Sequence, residues 1–317
     1  MTSSSCFSFP DLCCGAGMLT SAALLAGGAY AAKKAADYAR RVPVAGTALV
    51  TGSAGGLGLE LCRALLRAGA EGLVVVDLRA DAVEAAVEAL RLQAVEARRH
   101  VRVHGYACNV ADAEAVRRLA ERVEREVGPV EVLVNNAGIV SGKPFLELSE
   151  EQIRRTLEVN TLAHFWTLRA FLPQMVARNH GAVITISSAG GIVGTSGLTD
   201  YSASKFAVYG LDEALRLDLR RRGSKVHTLC VTPFYIDTGL FEGVRTSVPL
   251  LLPILQARPV ADAIVEALVA RRHYLEVPRI LSLAWLTKVL PTGMRDHILD
   301  ALGVTSSMDD FKGRSKL

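Results

Sequence analysis

A tyrosine and a lysine four residues apart are the side chains best suited to proton transfer in this chain. They are Tyr201 and Lys205, in the pentapeptide Y-S-A-S-K. If this segment is helical, the i, i+4 spacing places the phenol and the ammonium on one face. A phenol with a pKa of about 10 is a poor base, but a nearby ammonium favours the phenolate and lowers that pKa. The pair predicts a general acid/base, although the pentapeptide alone also fits a solvated helix face.

A second group of residues has the spacing of a phosphate-binding turn. Thr47–Gly58 reads T-A-L-V-T-G-S-A-G-G-L-G, a short apolar run followed by a cluster of glycines. Since glycine has no Cβ, the amides at Gly52, Gly56 and Gly58 can approach a pyrophosphate, which the next helix N-terminus also attracts. After the following apolar run, Asp77 is placed to accept hydrogen bonds from a ribose. These features predict a dinucleotide site; a loop without a ligand and an ordinary turn aspartate are the alternatives.

The elements that must position these residues follow as alternating strand and helix patterns. Apolar residues at helical spacing predict covering helices through Val83, Val87 and Leu90 and through Val116, Leu119 and Val123. Continuous apolar runs predict strands at Val101–Tyr106, Val130–Asn135, Val183–Ser187 and Val226–Thr232. Such runs suit strands that are covered on both faces. We therefore predict a single α/β domain, a doubly wound Rossmann fold with a mainly parallel sheet and helices on both faces.

Several motifs of the chain together resemble those of a known family. The glycine spacing is T-G-x-x-x-G-x-G, and Asn135–Gly138 reads N-N-A-G at the end of the fourth strand. The strand I-T-I-S-S ends at Ser188, thirteen residues before Tyr201, and Asn160 lies in E-V-N-T. In these motifs the chain resembles short-chain dehydrogenases/reductases.

Longer matches extend the resemblance from about Ala45 to Gly313. They run through His164–Met175, H-F-W-T-L-R-A-F-L-P-Q-M, and the closing segment Met308–Arg314, M-D-D-F-K-G-R. The chain looks like the membrane- and lipid-droplet-associated branch that holds retinol dehydrogenases and 17β-hydroxysteroid dehydrogenases. This implies an NAD(P)-dependent oxidoreductase that interconverts an apolar alcohol, a retinoid, steroid or other lipid, and its carbonyl.

The resemblance also implies a catalytic tetrad of Asn160, Ser188, Tyr201 and Lys205. Tyr201 would exchange the proton with the substrate oxygen, which Ser188 would hold by a hydrogen bond. Asn160 would position a water molecule that links Lys205 to solvent. Lys205, together with a positively charged nicotinamide ring, would lower the pKa of Tyr201.

The same family pattern assigns the residues that bind the dinucleotide. Asp77 favours NAD, because a carboxylate repels the 2′-phosphate of NADP, while Arg79 keeps NADP open. Asn109 stands where the family usually has an acidic residue, and Phe234 replaces a usual glycine. The predicted cofactor residues are Gly52, Ser53, Gly56, Leu57, Gly58, Asp77, Asn109, Val110, Asn136, Tyr201, Lys205, Pro233, Ile236 and Thr238.

Two other function classes compete with this interpretation. One is a catalytically idle lipid-droplet coat or scaffold protein that keeps the dinucleotide fold for stability. The other is a sugar epimerase or dehydratase, which also uses Y-x-x-x-K. The intact tetrad argues against the first, and the T-G-x-x-x-G-x-G turn argues against the second. No metal site is predicted, because the histidines and cysteines show no metal-ligand spacing.

The composition favours contact with a lipid surface over nucleic acid. Of the 317 residues, 50% are hydrophobic, and the net charge is only +4. The mean hydropathy of +0.27 is high for a freely soluble enzyme. The six cysteines form no C-x-x-C pair, so we expect a reducing compartment. We expect a homo-oligomer with a lipophilic small-molecule substrate and no nucleic-acid partner.

Residues 1–41 read as an N-terminal anchor or targeting segment. No charged residue occurs from Leu12 to Ala32, and Lys33, Lys34 and Arg40 follow. This run is long enough to cross a bilayer, and its basic flank would keep the catalytic domain in the cytosol, at the endoplasmic reticulum or a lipid droplet. A Ser-rich transit peptide and a cleaved secretory signal are the alternatives.

The remainder divides into a catalytic domain over 42–278 and a C-terminal extension over 279–317. Within the domain, 239–258 contains the apolar run Val248–Leu255, which we interpret as a substrate lid; a piece of core or a subunit contact is the alternative. The amphipathic extension suits a membrane interface or packing on the domain.

Overall fold

The computed structural model describes residues 41–313, in which seven strands form one parallel sheet. The strand order is β3-β2-β1-β4-β5-β6-β9. Every neighbouring pair is parallel. This confirms the doubly wound fold. The strands are β1 Thr47–Thr51, β2 Gly72–Asp77, β3 Arg102–Ala107, β4 Val130–Asn135, β5 Ala182–Ile186, β6 His227–Pro233, β7 Ile236–Asp237, β8 Leu255–Gln256 and β9 Tyr274–Val277, of which β7 and β8 form a separate small sheet.

Helices connect the strands and cover the sheet. A π-helical turn, Glu158–Leu162, joins α4 to α5, and short 3-10 helices lie at Phe145–Glu147 and Ala189–Gly191. A longer 3-10 helix spans Arg279–Val289. The α-helices are α1 Gly56–Ala68, α2 Ala80–Glu96, α3 Ala113–Glu126, α4 Glu150–Leu157, α5 Ala163–Arg178, α6 Thr199–Arg221, α7 Ala257–Val269 and α8 Thr292–Ala301.

The two faces of the sheet carry separate apolar cores, because side chains alternate along each strand. Val50 of β1 joins the core under α1, α2 and α7, whereas its neighbour Leu49 joins the core under α3 and α5. Both side chains are fully buried. Each such burial stabilises the fold by roughly 1.5–3 kcal/mol. Helices on both faces were predicted, and both are found.

The outermost strand, β3, differs from its prediction. We expected every strand to be covered on both faces, but in β3 only Val103 and Tyr106 are buried, and Arg102 is exposed. Position at the sheet edge explains this, since β3 pairs on one side only, with β2. Its residue range, and those of β5 and β6, also shift by one position from the predicted runs.

The C-terminal part packs on the domain as far as residue 313. Packing on the domain was one of the two arrangements that we considered for it, the other being a membrane interface. Arg245 donates its backbone amide to Ser307, and Lys312 donates to Glu242. Within residues 41–313, no helix has the length and apolar content needed to cross a bilayer. The predicted anchor run Leu12–Ala32 lies outside the described residues.

Candidate active site

A cavity of about 1010 Å³ opens at the carboxyl ends of the parallel strands. One half runs along the glycine turn and the ends of β2 to β4, and the other half is closed by residues after β6. In open α/β sheets this edge is the usual place for a ligand. Of the predicted site residues, those that line the cavity are Gly52, Gly56, Leu57, Gly58, Asp77, Asn109, Val110, Asn136, Ser188, Tyr201, Lys205, Pro233, Ile236 and Thr238.

The glycine turn is built for close approach of a ligand. A Cβ at Gly58 would lie 2.8 Å from Ser53 Cα and closer still to Gly52 O, so no other residue fits there. Gly52 has φ 62°, a left-handed conformation that favours glycine. Helix α1 starts directly after Gly55 without a side-chain cap, which leaves its first amides available to an anion. The turn therefore fits the pyrophosphate of a dinucleotide.

Ser53 was predicted to bind the cofactor, but its side chain is buried inside the fold and does not line the cavity. Its hydroxyl donates to Val50 O at 2.7 Å and accepts from Val76 N at 2.9 Å. Ser53 thus fastens the glycine turn to β1 and β2. Its backbone remains part of the turn.

The Asp77 carboxylate stands at the end of β2, held by two backbone amides. Oδ2 accepts from Ala54 N at 3.0 Å, and Oδ1 accepts from Leu78 N at 2.8 Å. Each oxygen keeps a second lone pair for a hydroxyl donor. This fits the ribose role predicted for Asp77. Asn109 lies at the same edge, exposed, with its Oδ1 accepting from Ala111 N at 3.1 Å.

The N-N-A-G segment braces the turn against β4. Asn136 Nδ2 donates to Thr51 O at 2.9 Å and to Gly52 O at 3.0 Å. Thr51 Oγ1 accepts from the amides of Asn136 and Ala137. These bonds fix the position of the glycine turn relative to the neighbouring strand.

Tyr201 and Lys205 lie on the first turns of α6 and face the cavity. Lys205 is 3% exposed, and its Nζ donates to Ile186 O at 2.9 Å and lies 5.7 Å from the centre of the Tyr201 ring. Burial lowers the pKa of Lys205 to about 8. The predicted helical spacing therefore brings the two groups together.

The pKa of Tyr201 moves opposite to our expectation. Burial raises it to about 12, and the nearby hydroxyl of Ser188 only partly opposes the shift. We expected Lys205 to lower this pKa, but burial removes the water that would stabilise a phenolate, and it also disfavours the ammonium. The part of the expectation that invoked a nicotinamide ring remains a prediction.

Asn160 lies in the π-helical turn and is fully buried outside the cavity lining. Its Oδ1 accepts from Ile139 N at 2.8 Å, while Nδ2 donates to Ile139 O at 2.9 Å and to Ser204 Oγ at 3.0 Å. Both amide hydrogens are thus used in tying the loop after β4 to α6. The role of Asn160 in positioning a water molecule remains a prediction.

The segment after β6 forms the boundary between the two halves of the cavity. Pro233, Ile236 and Thr238 line it, and Ile236 is held by pairing of β7 with β8. The Thr238 hydroxyl makes only a long contact, 3.5 Å, to Ile236 O, so it can turn toward a ligand. Phe234 also lines the cavity.

The second half of the cavity is mostly apolar, and most of its residues were not predicted individually. Phe241 packs edge-on against Tyr201, with ring centres 5.5 Å apart. Tyr235 Oη and Ser307 Oγ are 2.9 Å apart, which links the residue before β7 to the C-terminal segment. The apolar run near residue 250 and the amphipathic C-terminal stretch were the only signals for this wall. Its apolar residues include Val193, Leu198, Phe241, Leu251, Leu252, Ile280, Leu281, Leu283, Ile298, Leu299, Leu302 and Val304.

Comparison with known proteins identifies the family. A family model described as short chain dehydrogenase matches residues 46–248. Epidermal retinol dehydrogenase 2 of Homo sapiens is 40% identical over 272 residues, which cover 84% of this chain and 85% of that protein. Retinol dehydrogenase 10 of Xenopus tropicalis is 36% identical over 291 residues, covering 84% and 85%.

Two solved structures share the fold of this chain. A short chain dehydrogenase/reductase from Burkholderia phymatum, in complex with NAD, is 26% identical with a TM-score of 0.69, covering 78% of this chain and 94% of that one. An alcohol dehydrogenase from Thermococcus sibiricus, complexed with 5-hydroxy-NADP, is 26% identical with a TM-score of 0.64, covering 73% and 95%. The chain therefore belongs to the retinol dehydrogenase branch of the short-chain dehydrogenase/reductase family and is an alcohol oxidoreductase that uses a nicotinamide dinucleotide.

Proposed function

We propose that this enzyme interconverts a lipophilic alcohol of the retinoid or steroid class and its carbonyl, with NAD as preferred cofactor and Tyr201 as acid/base. One observation carries the proposal: Tyr201 lies where the glycine-turn half of the cavity meets the apolar half. Cavities for one small ligand measure about 300–1,000 Å³. At about 1010 Å³, this one is slightly larger than that range, which suits a dinucleotide together with an apolar substrate.

The side chains around Tyr201 support the following proton chemistry. A dinucleotide bound along the glycine turn supplies the acceptor or donor of the hydride. Tyr201 Oη takes the proton of the alcohol during oxidation and returns it during reduction. Ser188, whose hydroxyl lies near that of Tyr201, donates a hydrogen bond to the substrate oxygen, and Lys205, which hydrogen-bonds Ile186 O, exchanges the proton with Tyr201.

The preference for NAD rests on the carboxylate of Asp77. Two backbone amides orient it at the position where the adenosine ribose would lie. A 2′-phosphate there would meet a like charge. The one basic neighbour that we considered, Arg79, is half exposed and has a loose contact of 3.9 Å to Asp81.

We also propose that residues 239–258 act as a lid. Phe241 contacts the catalytic ring, and Leu252 is buried against the cavity. Within the same segment Leu250 is fully exposed. Opening of this segment would widen access to the cavity.

Apolar side chains at the cavity mouth support entry of substrate from a lipid surface. Leu251 and Leu283 line the cavity and yet are 43% and 52% exposed, and Val289 on the same 3-10 helix as Leu283 is 82% exposed. Lys288 adds a cation on that helix, with its Nζ 4.8 Å from the centre of the Phe206 ring. Clustered exposed apolar residues mark interaction sites. We place this mouth on the cytosolic face of the endoplasmic reticulum or a lipid droplet; the homo-oligomer stays a prediction.

A substrate screen tests the proposal. Retinoids, steroids and long-chain alcohols, each offered with NAD and with NADP, should give turnover for at least one lipid alcohol and higher kcat/KM with NAD. Turnover only of short, soluble alcohols would contradict the substrate class. No turnover with any pair would favour the idle coat or scaffold protein.

A further inference from the structure

Two side-chain hydroxyls, those of Tyr235 and Ser307, meet in the mostly apolar half of the cavity. Both residues line the cavity, and they are 9% and 5% exposed. Tyr235 Oη and Ser307 Oγ are 2.9 Å apart. Because most of the surrounding wall is apolar, this hydroxyl pair is a buried polar spot beside the position proposed for the substrate.

The hydrogen bonds of the pair fix which hydroxyl donates. Ser307 has one hydroxyl hydrogen, which it donates to Val304 O at 2.8 Å. Tyr235 must therefore donate to Ser307 Oγ, and neither hydroxyl keeps a hydrogen for a ligand, although Tyr235 Oη can still accept one. Among residues 41–313 no other donor reaches either oxygen, so the pair presents only acceptors to the cavity.

Ser307 is held in place by the backbone around it. Arg245 donates its backbone amide to Ser307 O at 3.2 Å, and the next residue, Met308, lies against Gly197. Gly197 has φ 72°, and a Cβ there would lie only 3.3 Å from Met308 Cβ, so a larger residue would press on the C-terminal segment. The close approach of this segment keeps the Ser307 hydroxyl next to Tyr235.

Tyr235 is also fixed by its own neighbours. Its carbonyl accepts from Leu255 N at 2.8 Å. Its ring packs edge-on against Phe234, with ring centres 4.7 Å apart, and against Phe241 at 5.1 Å. Phe241 packs against Tyr201 as well, and both tyrosines belong to one apolar cluster. A substrate held at Tyr201 therefore lies close to Tyr235.

We propose that Tyr235 is a specificity-determining residue that selects lipid alcohols carrying a second hydroxyl group. The inference rests on the proposed reaction and adds no chemical step to it. The first hydroxyl is the one that is oxidised at Tyr201, and the second donates a hydrogen bond to Tyr235 Oη. Each hydroxyl then donates to the next, from the substrate to Tyr235, from Tyr235 to Ser307, and from Ser307 to the Val304 carbonyl.

The direction of these hydrogen bonds decides which substrates are disfavoured. An oxo or ether group at the same place has no hydrogen to donate, so its oxygen would face the lone pairs of Tyr235. A hydrocarbon end would forgo the hydrogen bond but would leave no buried donor unpaired, because Tyr235 and Ser307 already bond each other. We therefore expect diols to be preferred, mono-alcohols to come next, and alcohols with a remote oxo or ether oxygen to be poorest.

The experiment compares three kinds of lipid alcohol as substrates of the full-length enzyme. The probes are 1-alkanols, α,ω-alkanediols and ω-methoxy-1-alkanols, each in a series of chain lengths, because the span between Tyr201 and Tyr235 selects one length. At that length, kcat/KM for the diol should exceed kcat/KM for the 1-alkanol by about threefold to tenfold, beyond the advantage of its two equivalent ends. The methoxy alcohol should be the poorest of the three.

Two variants test the direction of the hydrogen bonds. Tyr235→Phe should abolish the preference for the diol, while kcat/KM for the 1-alkanol stays within about twofold of the wild type. Ser307→Ala removes the oxygen that accepts from Tyr235, so Tyr235 can donate to a ligand, and the methoxy alcohol should gain relative to the diol. Tyr106→Phe removes the hydrogen-bonded hydroxyl of a buried tyrosine outside the cavity lining; this control should match the wild type.

An equal loss for diol and 1-alkanol in Tyr235→Phe would overturn the proposal, since it indicates a structural role, as would a wild type without a diol preference at any length. If Tyr235→Phe does not fold, the reversal expected of Ser307→Ala decides. Calorimetric affinities of the same probes for the enzyme loaded with reduced dinucleotide need no turnover. A wild type that binds diols preferentially but oxidises none of the probes would support this inference and contradict the proposed reaction.

Discussion

The ring of Phe241 meets the ring of Tyr201 edge-to-face, with an interplanar angle of 87°. Phe241 lies in the segment proposed as the lid, and Tyr201 is the proposed acid/base. Phe241 also contacts Tyr235, whose hydroxyl reaches Ser307 of the C-terminal segment. The proposed acid/base and the proposed lid are therefore in direct contact.

Phe241→Ala should lower kcat/KM for a lipid alcohol by about five- to thirtyfold, because it removes an aromatic contact worth about 0.5–1.5 kcal/mol and part of the apolar wall. Phe241→Leu should lie between this variant and the wild type. Phe145→Ala changes an exposed ring on a 3-10 helix and is the control. Equal kinetics of Phe241→Ala and wild type would exclude the coupling.

Asp77→Ala should narrow or reverse the preference for NAD, since it removes the charge that a 2′-phosphate would meet. The ratio of kcat/KM values with the two cofactors measures this. A wild type that already prefers NADP by tenfold, about 1.4 kcal/mol, would show that Asp77 does not set the choice. Glu88→Ala, which removes an exposed carboxylate from helix α2, should leave the ratio unchanged.

Asp212→Asn should stabilise the protein at neutral pH and not at acidic pH. Burial raises the folded-state pKa of Asp212 from 3.8 to about 7, so between these values the native state binds more protons than the unfolded state. Wild-type stability therefore falls as the pH rises through this window, and the variant lacks that loss. At pH values above the folded-state pKa, the gain in the free energy of unfolding should reach at most about 4 kcal/mol. Urea unfolding across this window measures it; a gain independent of pH would contradict the assignment.

Acidic residues at the cavity mouth should impair use of lipid-embedded substrate. Leu286 is exposed on the same 3-10 helix as Leu283 and Val289. The double variant Leu286→Glu, Val289→Glu should lower kcat/KM several-fold for an alcohol presented in phospholipid vesicles, because burying a charge in the interface is unfavourable. The kcat/KM for a soluble alcohol should not change. Leu146→Glu places the same charge at another exposed leucine. An equal loss in this control, or no loss in the double variant, would refute the placement of the mouth.

Features set by local spacing could be predicted, whereas those set by distant contacts could not. The doubly wound fold follows from the strand and helix patterns, and Tyr201 and Lys205 are brought together by the spacing of one helix turn. The edge position of β3 depends on which strands pair, which no single run reveals. Burial of Ser53 and Asn160 likewise depends on partners far along the chain.

The electrostatics of the site were the least predictable part. The pKa of Tyr201 depends on whether the charge of Lys205 or the loss of water on burial has the larger effect. That balance is set by how deeply α6 is buried, which the local sequence does not encode. Asp212 belongs to no motif and reads as an ordinary polar position of a helix. Only the parallel pairing of β5, β6 and β9 places Thr185, Cys230 and Tyr274 side by side under that helix.

Hydride transfer by Tyr201→Phe tests the central claim most directly. The variant lacks one hydroxyl, and its rate of reduced-nicotinamide formation from a lipid alcohol in a single turnover should fall by at least about a hundredfold. Its dissociation constant for the dinucleotide should stay within about threefold of the wild type, since the glycine turn is untouched. A variant that binds the dinucleotide normally and still transfers hydride at the wild-type rate would show that Tyr201 is not the acid/base.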